Sequence, residues 1–172
     1  MAEMIDRNRT EILACLPRLR RFALALTGRN SDADDLVQDS IERALRSLGQ
    51  FTPGTRMDSW MFRIAQNLWI DQLRTRKSRG RPEPLEAAEQ VAVDGRRTAE
   101  ARIMLSETSR GLAALPEEQR AVVALVLIEG LSYREAANVL DVPIGTVTSR
   151  LARGRDALAA SVFGHACAQW EI

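Results

Sequence analysis

Hydroxyl groups, one small methyl group and arginines are concentrated in a short stretch of the last third of the chain. On a helix, where successive residues lie 100° apart, the apolar residues of this stretch share one face: Val147, Leu151, Gly154 and Leu158. The hydroxyl-bearing residues, the arginines and one alanine occupy the opposite side and its flanks: Thr146, Thr148, Ser149, Arg150, Ala152, Arg153 and Arg155. Arginine donates to guanine or phosphate, hydroxyls bind either, and a methyl group contacts thymine. We therefore predict a helix that reads the major groove of DNA.

The residues just before this helix are those that would present it to DNA. Ser132 and Glu135 have the spacing of a capping box, in which each side chain accepts from the other residue's backbone N–H. A short amphipathic helix follows, and a tight turn at 141–143 ends in Pro143, which suits the start of a second helix. The alternative is that the arginines only solvate an amphipathic helix. The capped helix and the turn favour a helix-turn-helix.

The first 77 residues are also helical in pattern, and strand-like alternation is absent. A first helix is predicted from about residue 8 to Leu26, with Pro17 inside it and Gly28 ending it. Ser31 is the expected N-cap of a second helix. A loop over 49–58 contains a Pro-Gly turn signal, and a third helix follows from about Ser59 to Lys77, with Trp60 expected in the core.

The periodic pattern breaks after this third helix, in a basic run followed by prolines. We predict an all-α chain made of two small helical domains joined by a flexible linker. The boundaries are residues 1–77 for the first domain, 78–98 for the linker, 99–163 for the second domain and 164–172 for a tail.

Several function classes are disfavoured by composition. His165 is the single histidine, so neither a histidine-based triad nor a multi-histidine metal site can form. His165 with Cys167 would offer only two metal ligands, so we expect no catalytic residue, no metal and no cofactor. Two distant cysteines suit a reducing compartment, and no apolar run is long enough to span a bilayer. We expect a cytoplasmic protein without membrane insertion; the net charge of +1 by itself indicates no partner.

Two blocks of the chain resemble one family. Residues 34–39, Phe51 and 60–67 resemble the σ2 domain of extracytoplasmic-function sigma factors of bacterial RNA polymerase, and residues 130–137 and 143–155 resemble their σ4 domain. The blocks stand in the family's order. The resemblance implies core RNA polymerase (through its β′ clamp helices and β flap), promoter DNA and an anti-sigma factor as partners.

The resemblance also implies a role for particular residues. The upstream (minus-thirty-five) element would be read as duplex by the helix-turn-helix, with Thr148, Ser149, Ala152 and Arg153 at the bases and Arg150 and Arg155 at phosphates. The downstream (minus-ten) element would be read as unpaired DNA by Phe51, Thr52, Thr55, Arg56, Asp58, Arg63 and Asn67. The β′ clamp helices would be bound by Asp35, Gln38, Asp39, Glu42 and Arg46.

Two other functions are compatible with parts of the sequence. A sigma-like decoy would sequester an anti-sigma factor without transcribing, and a plain helix-turn-helix regulator would bind DNA as a dimer on a palindromic site. The decoy is disfavoured by Arg150 and Arg153, and the regulator does not explain the σ2-like block.

Overall fold

The computed structural model describes the backbone of residues 2–52, 54–78 and 108–167, with side chains from residue 7 to 161 within these ranges. Within them every regular element is helical. The elements are α1 (Ala2–Thr27), α2 (Asn30–Arg46), a 3₁₀ turn (Leu48–Gln50), α3 (Met57–Ser78), α4 (108–114), α5 (Glu117–Val123), a π-helix (Ala124–Ile128), α6 (Tyr133–Leu140) and α7 (Ile144–Cys167). The prediction of an all-α chain is confirmed.

Helices α1, α2 and α3 pack on one another and form what we call the N-terminal bundle. Its core is built from large apolar side chains of all three helices: Leu19, Phe22, Leu26, Leu36, Met61, Phe62 and Trp69. The rings of Phe22 and Phe62 meet edge to face, with centroids 5.1 Å apart. Such a pair adds about 0.5–1.5 kcal/mol to the free energy gained by burial alone. This bundle holds residues 49–52 and 54–56 and the exposed face of α3 in place.

Helix ends in the bundle differ in part from the sequence prediction. Gly28 does end α1, with a positive φ of 70° that favours glycine. Ser31 is not the N-cap of α2, because the helix begins at Asn30 and Arg29 occupies the cap position. Helix α1 continues through Pro17, and α3 begins at Met57, two residues before the predicted start, and includes Ser78 of the predicted linker. The rest of that linker lies outside the described residues.

Helices α4 to α7 form the C-terminal unit. The predicted capping box is present: Ser132 N–H donates to the Glu135 carboxylate over 2.8 Å, and Glu135 N–H donates to the Ser132 hydroxyl over 3.3 Å. Asp141 follows α6 in the left-handed conformation and turns the chain into α7. Helix α7 continues to Cys167, so residues 164–167, predicted as tail, are helical.

The π-helix at the centre of the C-terminal unit was not predicted. Its wide turn ends with Glu129 N–H donating to the carbonyl of Ala124, five residues back, over 3.0 Å. Leu125 stays buried, whereas Leu127 and Ile128 are exposed. Residues after a π-turn are rotated relative to an α-helical continuation, and here Glu129 points into the molecule, where it is buried.

The N-terminal bundle and the C-terminal unit share one continuous apolar core. Helix α1 contacts α5 and the π-helix, and α3 contacts α6. Arg120 of α5 is buried at the junction, where it donates to the carbonyl of Leu26 at the end of α1 over 2.7 Å and to the carbonyls of Ala113 and Leu115. Desolvation lowers the pKa of this guanidinium. The two regions predicted as separate domains therefore lie against each other.

Gly154 gives a test of how α7 packs on α5. A Cβ added at Gly154 would lie 2.8 Å from a methyl carbon of Val123, a stiff β-branched side chain that is itself buried. We expect Gly154→Ala to lower the free energy of unfolding by about 1–3 kcal/mol through overpacking, as measured by urea denaturation.

Gly145→Ala is the matched control, because a Cβ at Gly145 has no neighbour within 4 Å. That variant is expected to raise stability by up to about 1 kcal/mol through helix propensity. Equal effects of the two substitutions would contradict the close approach of α5 and α7.

Candidate nucleic-acid interface

Helix α7 exposes the side that the sequence predicted to read DNA. Val147, Leu151 and Gly154 are buried against the rest of the C-terminal unit. The outward residues are exposed: Thr148, Ser149, Ala152, Arg153 and Arg155. The start of α7 is held by the turn after α6, because Thr146 and Val147 donate to the carbonyl of Pro143. A rigid helix therefore presents two hydroxyls, a methyl group and a guanidinium on one surface.

Contacts within α7 orient these side chains. Thr148 donates to the carbonyl of Ile144 and Ser149 to that of Thr146, each over 3.1 Å. The Nε of Arg153 donates to the carbonyl of Ser149 over 3.2 Å. Hydroxyl oxygens that donate to the helix backbone keep their acceptor lone pairs for a base or a water molecule. Such fixed side chains lose little conformational entropy when they bind.

Arg150 and Thr146 are less accessible than the other residues of this set. Both are half-buried, and Arg150 forms an ion pair with Glu118 of α5 over 2.5 Å. This pair links the flank of α7 to the rest of the C-terminal unit. Arg150 is thus a packing residue first, and any contact with phosphate would have to compete with Glu118.

The residues predicted to bind unpaired DNA lie around the start of α3. Thr52, Thr55, Arg56, Arg63 and Asn67 are exposed, and Phe51 is half-buried against Trp60, with ring centroids 5.2 Å apart. The loop is braced by the Thr55 hydroxyl, which donates to the carbonyl of Thr52 over 2.7 Å. Trp60 is only half-buried, so part of its ring packs against the core and part is exposed at the surface.

Asp58 differs from its predicted role as a base reader. It is only 8% exposed, and its carboxylate accepts from Arg18, from Arg56 over 2.6 Å and from the Ser59 N–H over 2.7 Å. Burial by itself would raise the pKa of Asp58, but the hydrogen bonds from Arg56 and Ser59 outweigh burial and lower it. Asp58 therefore fixes the start of α3 and orients Arg56, and its carboxylate does not face solvent.

A groove of about 690 Å³ runs beside this loop. Its walls combine bundle residues with residues of α6: Arg43, Ser47, Gln50, Thr52, Thr55, Arg56, Ser59, Trp60, Arg63, Ile64 and Asn67 on one side, and Glu135, Asn138 and Val139 on the other. Three arginines, an aromatic ring and several hydroxyls suit a single-stranded nucleic acid, which needs a cationic track and stacking surfaces.

The polar side of α2 is the third predicted surface. All five of its predicted residues are exposed: Asp35, Gln38, Asp39, Glu42 and Arg46. Glu42 accepts from Arg46 over 3.0 Å, and Asp39 accepts from Gln72 of α3 over 3.4 Å. Three acidic residues with few internal partners make this face suitable for a basic partner surface.

Known proteins match the chain over both regions. Residues 12–79 match the model of Sigma-70 region 2, and residues 107–158 match that of Sigma-70, region 4. The ECF RNA polymerase sigma factor EcfG of Rhodopseudomonas palustris is 34% identical over 160 residues, which cover 93% of this chain and 87% of that protein. SigM of Mycobacterium tuberculosis is 37% identical, with 83% of this chain and 70% of that protein covered.

The chain belongs to the extracytoplasmic-function sigma factors of RNA polymerase. A solved structure agrees: the sigma factor RpoE of Bartonella quintana, in complex with the anti-sigma factor NepR, has a TM-score of 0.76 and 30% identity over 89% of this chain and 94% of its own. CnrH, in complex with the cytosolic domain of CnrY, has a TM-score of 0.65 and 28% identity, with 92% of each chain covered.

Sequence reasoning missed part of this sigma factor's groove. Arg43, Gln50 and Ser59 line it but were not predicted, because Arg43 belongs to α2 and faces the groove only once α2 and α3 have packed. The one feature of the sequence that could have indicated these residues was the position of Gln50 in the predicted loop over 49–58. Among the described residues no group of metal-binding side chains occurs, and none of the described helices is long and apolar enough to cross a membrane. The side chains of His165 and Cys167 lie outside those described.

The lowered pKa of Asp58 predicts an acid-sensitive contribution to stability. Because the pKa in the folded state lies below the ordinary value of about 3.9, the stabilisation is complete above that value and is lost as pH falls through the folded-state pKa. We expect Asp58→Asn to lower the free energy of unfolding by about 1–3 kcal/mol at neutral pH, with a gap to the wild type that narrows below about pH 4. Urea denaturation across this pH range measures the gap.

Asp34→Asn is the control, since Asp34 pairs with Arg20 at the surface. Exposed pairs contribute at most about 1 kcal/mol, so this variant should stay near the wild type. A gap for Asp58→Asn that does not change with pH would contradict the assignment.

Proposed function

We propose that this sigma factor directs core RNA polymerase to promoters in the cytoplasm by reading two separated DNA elements, one with each of its regions. The observation that carries the proposal is the exposed side of α7, held by a capped helix and a tight turn. The sigma factor performs no bond chemistry in this proposal. It selects the site, and the polymerase makes RNA.

The C-terminal unit reads the upstream element as duplex. The outward side of α7 carries Thr148, Ser149, Ala152 and Arg153. These residues face base edges when the helix lies in the major groove. Arg155 lies at the edge of that surface, where the phosphate backbone passes. Arg150 reaches a phosphate only if it exchanges its contact with Glu118.

The N-terminal bundle reads the downstream element as unpaired DNA. The groove beside α3 offers Arg56 and Arg63 to phosphates or bases, and Trp60, which packs against Phe51, as an apolar wall. Stacking on aromatic rings contributes about 1–3 kcal/mol per base in single-strand sites. Asp58 takes part indirectly, by orienting Arg56.

Core RNA polymerase binds to the polar face of α2, and an anti-sigma factor keeps the protein inactive until a signal arrives. The first statement rests on the exposure of Asp35, Gln38, Asp39 and Glu42. The second rests on the two similar solved structures, both of which are complexes, one with the anti-sigma factor NepR and one with the cytosolic domain of CnrY.

Transcription in vitro tests the whole proposal. Purified core polymerase transcribes fragmented genomic DNA from the source organism, once with this protein and once without it. Discrete new start sites that share two spaced upstream elements are expected. Their absence, with a folded protein, would favour a decoy that binds an anti-sigma factor or a plain helix-turn-helix regulator.

Arg153→Ala tests the reading of the upstream element. We expect a loss of about 1–3 kcal/mol in binding to the proper promoter and a relaxed preference at one base pair, as measured with a set of single-base promoter variants. Arg155→Ala serves as the comparison, since it should weaken binding to all variants alike and reduce the salt dependence. Uniform weakening by Arg153→Ala would make Arg153 a phosphate contact.

Asp39→Arg tests the face that binds polymerase. Reversing the charge of this exposed residue should weaken binding to core polymerase by about ten-fold, or about 1.4 kcal/mol, without changing thermal stability. Asp71→Arg is the matched control, because Asp71 is an exposed acid of α3 that pairs with Arg74 of its own helix. Equal losses for both variants would show a general charge effect, and unfolding of Asp39→Arg would show that the face is not a free surface.

A further inference from the structure

An arginine on the flank of α7 is already paired with an acid of the same C-terminal unit. The guanidinium of Arg150 donates to the Glu118 carboxylate over 2.5 Å, as a hydrogen bond between two charged groups. The side chain of Arg150 is 19% exposed, whereas that of Glu118 is 69% exposed. The pair therefore presents its negative member to solvent and keeps its positive member covered.

The packing of α5 against α7 fixes the position of this acid. Glu118 belongs to the first turn of α5, and the next residue, Gln119, donates its N–H to the carbonyl of Pro116 over 2.9 Å. The two helices approach closely at Gly154, where an added Cβ would lie 2.8 Å from a methyl carbon of Val123 and 3.5 Å from the Cβ of Gln119. Because α5 and α7 pack this closely, the acid stays within reach of the arginine.

The three arginines of α7 differ in what their guanidinium groups contact. Arg153 and Arg155 are exposed, and Arg153 uses its Nε on the carbonyl of Ser149 in its own helix. Arg150 lies about 60° from Arg153 around the helix axis, on the flank that faces α5. When a recognition helix lies in the major groove, its flanks are the parts that meet the phosphate backbone. Arg150 is therefore placed to bind phosphate, but Glu118 occupies its guanidinium.

A contact with phosphate strengthens binding to every duplex alike, because it carries no sequence information. A genome offers about 10⁶–10⁹ competing sites to a protein that reads a short element. Each further arginine on the backbone therefore lengthens the time that the protein spends on unrelated DNA. An acid that occupies one arginine removes such a contact and leaves the residues that face the bases unchanged.

We propose that Glu118 is a positioning residue for duplex binding: it holds Arg150 off the phosphate backbone and thereby limits the sequence-independent affinity of α7. This inference rests on the proposed reading of duplex DNA by α7, and it names the residue that restrains that reading. Both members of the pair belong to the C-terminal unit, so the role does not depend on contacts with the bundle. Arg150 then supports α7 instead of taking the phosphate contact that the family resemblance implied, and Arg155 takes a phosphate contact.

Binding of the full chain to duplex DNA at two salt concentrations tests the proposal. The probe is a fluorescein-labelled duplex of unrelated sequence and about 30 base pairs, followed by anisotropy at about 50 and about 200 mM salt. Glu118→Gln removes the charge and keeps the shape of the side chain, so that phosphate competes with a neutral amide for Arg150. Each phosphate contact steepens the slope of log affinity against log salt by about 0.9. The gain of Glu118→Gln over the wild type should therefore be about three- to four-fold larger at the lower salt concentration.

Glu117→Gln is the matched control, because it removes the same charge from the neighbouring residue, whose carboxylate interacts with Arg120 and Lys77. The salt slope of this control should equal that of the wild type. Adding Arg150→Gln to Glu118→Gln should remove the gain, since the gain requires the guanidinium. Thermal unfolding should be the same for Glu118→Gln and the wild type, because an exposed ion pair contributes little to stability.

Three results would overturn the proposal. The first is a gain that is equal at both salt concentrations or equally large for Glu117→Gln, which would show a general charge effect. The second is a gain that persists without Arg150. The third is a changed preference among single-base promoter variants, which would show that Glu118 supports the side of α7 that faces the bases.

Arg150→Gln alone gives an independent answer should Glu118→Gln fail to fold. Because Glu118 already occupies the guanidinium, this variant is expected to keep the salt slope of the wild type. Arg155→Ala should reduce that slope by about 0.9. An equal reduction by Arg150→Gln would show that Arg150 contacts phosphate in the wild type and that Glu118 does not hold it.

Failure of this proposal is distinguishable from failure of the proposed function. If transcription in vitro gives discrete starts but Glu118→Gln leaves the salt slope unchanged, the sigma activity stands and the role of Glu118 is wrong. If the slope steepens and no starts appear, Glu118 restrains a plain helix-turn-helix regulator and the sigma activity is wrong. The absence of duplex binding by every variant would contradict the reading of duplex by α7, and the role of Glu118 with it.

Discussion

A buried carboxylate between two arginines determines how the two regions of this sigma factor meet. The side chain of Glu129 is fully buried, and removing an ion from water costs several kcal/mol unless charge and hydrogen bonds compensate. Arg18 and Arg21 of α1 supply that compensation. Because the π-helix ends just before Glu129, a local change of helix type in the C-terminal unit becomes a contact with the bundle. The contacts of α3 with α6, and of Arg120 with the end of α1, complete this junction.

Arg56 combines a structural role with a place in the groove. Arg56 braces Asp58 and the start of α3, contacts Glu135 of α6, and lies in the groove suited to unpaired DNA. The exposed pair of Arg56 with Glu135 contributes at most about 1 kcal/mol, whereas the contacts of Arg56 with the buried Asp58 hold the guanidinium in one geometry.

Local patterns in the sequence predicted the helices and the helix-turn-helix well. The capping box at Ser132 and the buried side of α7 were confirmed, because both depend on neighbours within four residues. The N-cap at Ser31 was wrong, since Thr27 and Arg29 close the turn between α1 and α2 with their own hydrogen bonds. Helical periodicity also could not predict the π-helix, whose wider turn departs from the spacing of 3.6 residues.

Contacts between residues far apart in the chain could not be predicted from the sequence. Asp58 looked like a polar loop residue until Arg18, forty residues away, proved to cover it. Arg18, Arg21 and Glu129 carry the charges of an ordinary solvated surface, and more than a hundred residues separate the arginines from their acceptor. Only tertiary packing distinguishes such residues from surface charges, so the burial of Asp58 and of Glu129 could not be predicted from the sequence.

The two carboxylate oxygens of Glu135 accept hydrogen bonds from different partners. One accepts from the backbone and hydroxyl of Ser132, and the other accepts from Arg56. The contact with Ser132 lies within the C-terminal unit, so the cap of α6 does not depend on Arg56. The start of α6 is therefore fixed by hydrogen bonds within the C-terminal unit, whatever partner the guanidinium of Arg56 takes.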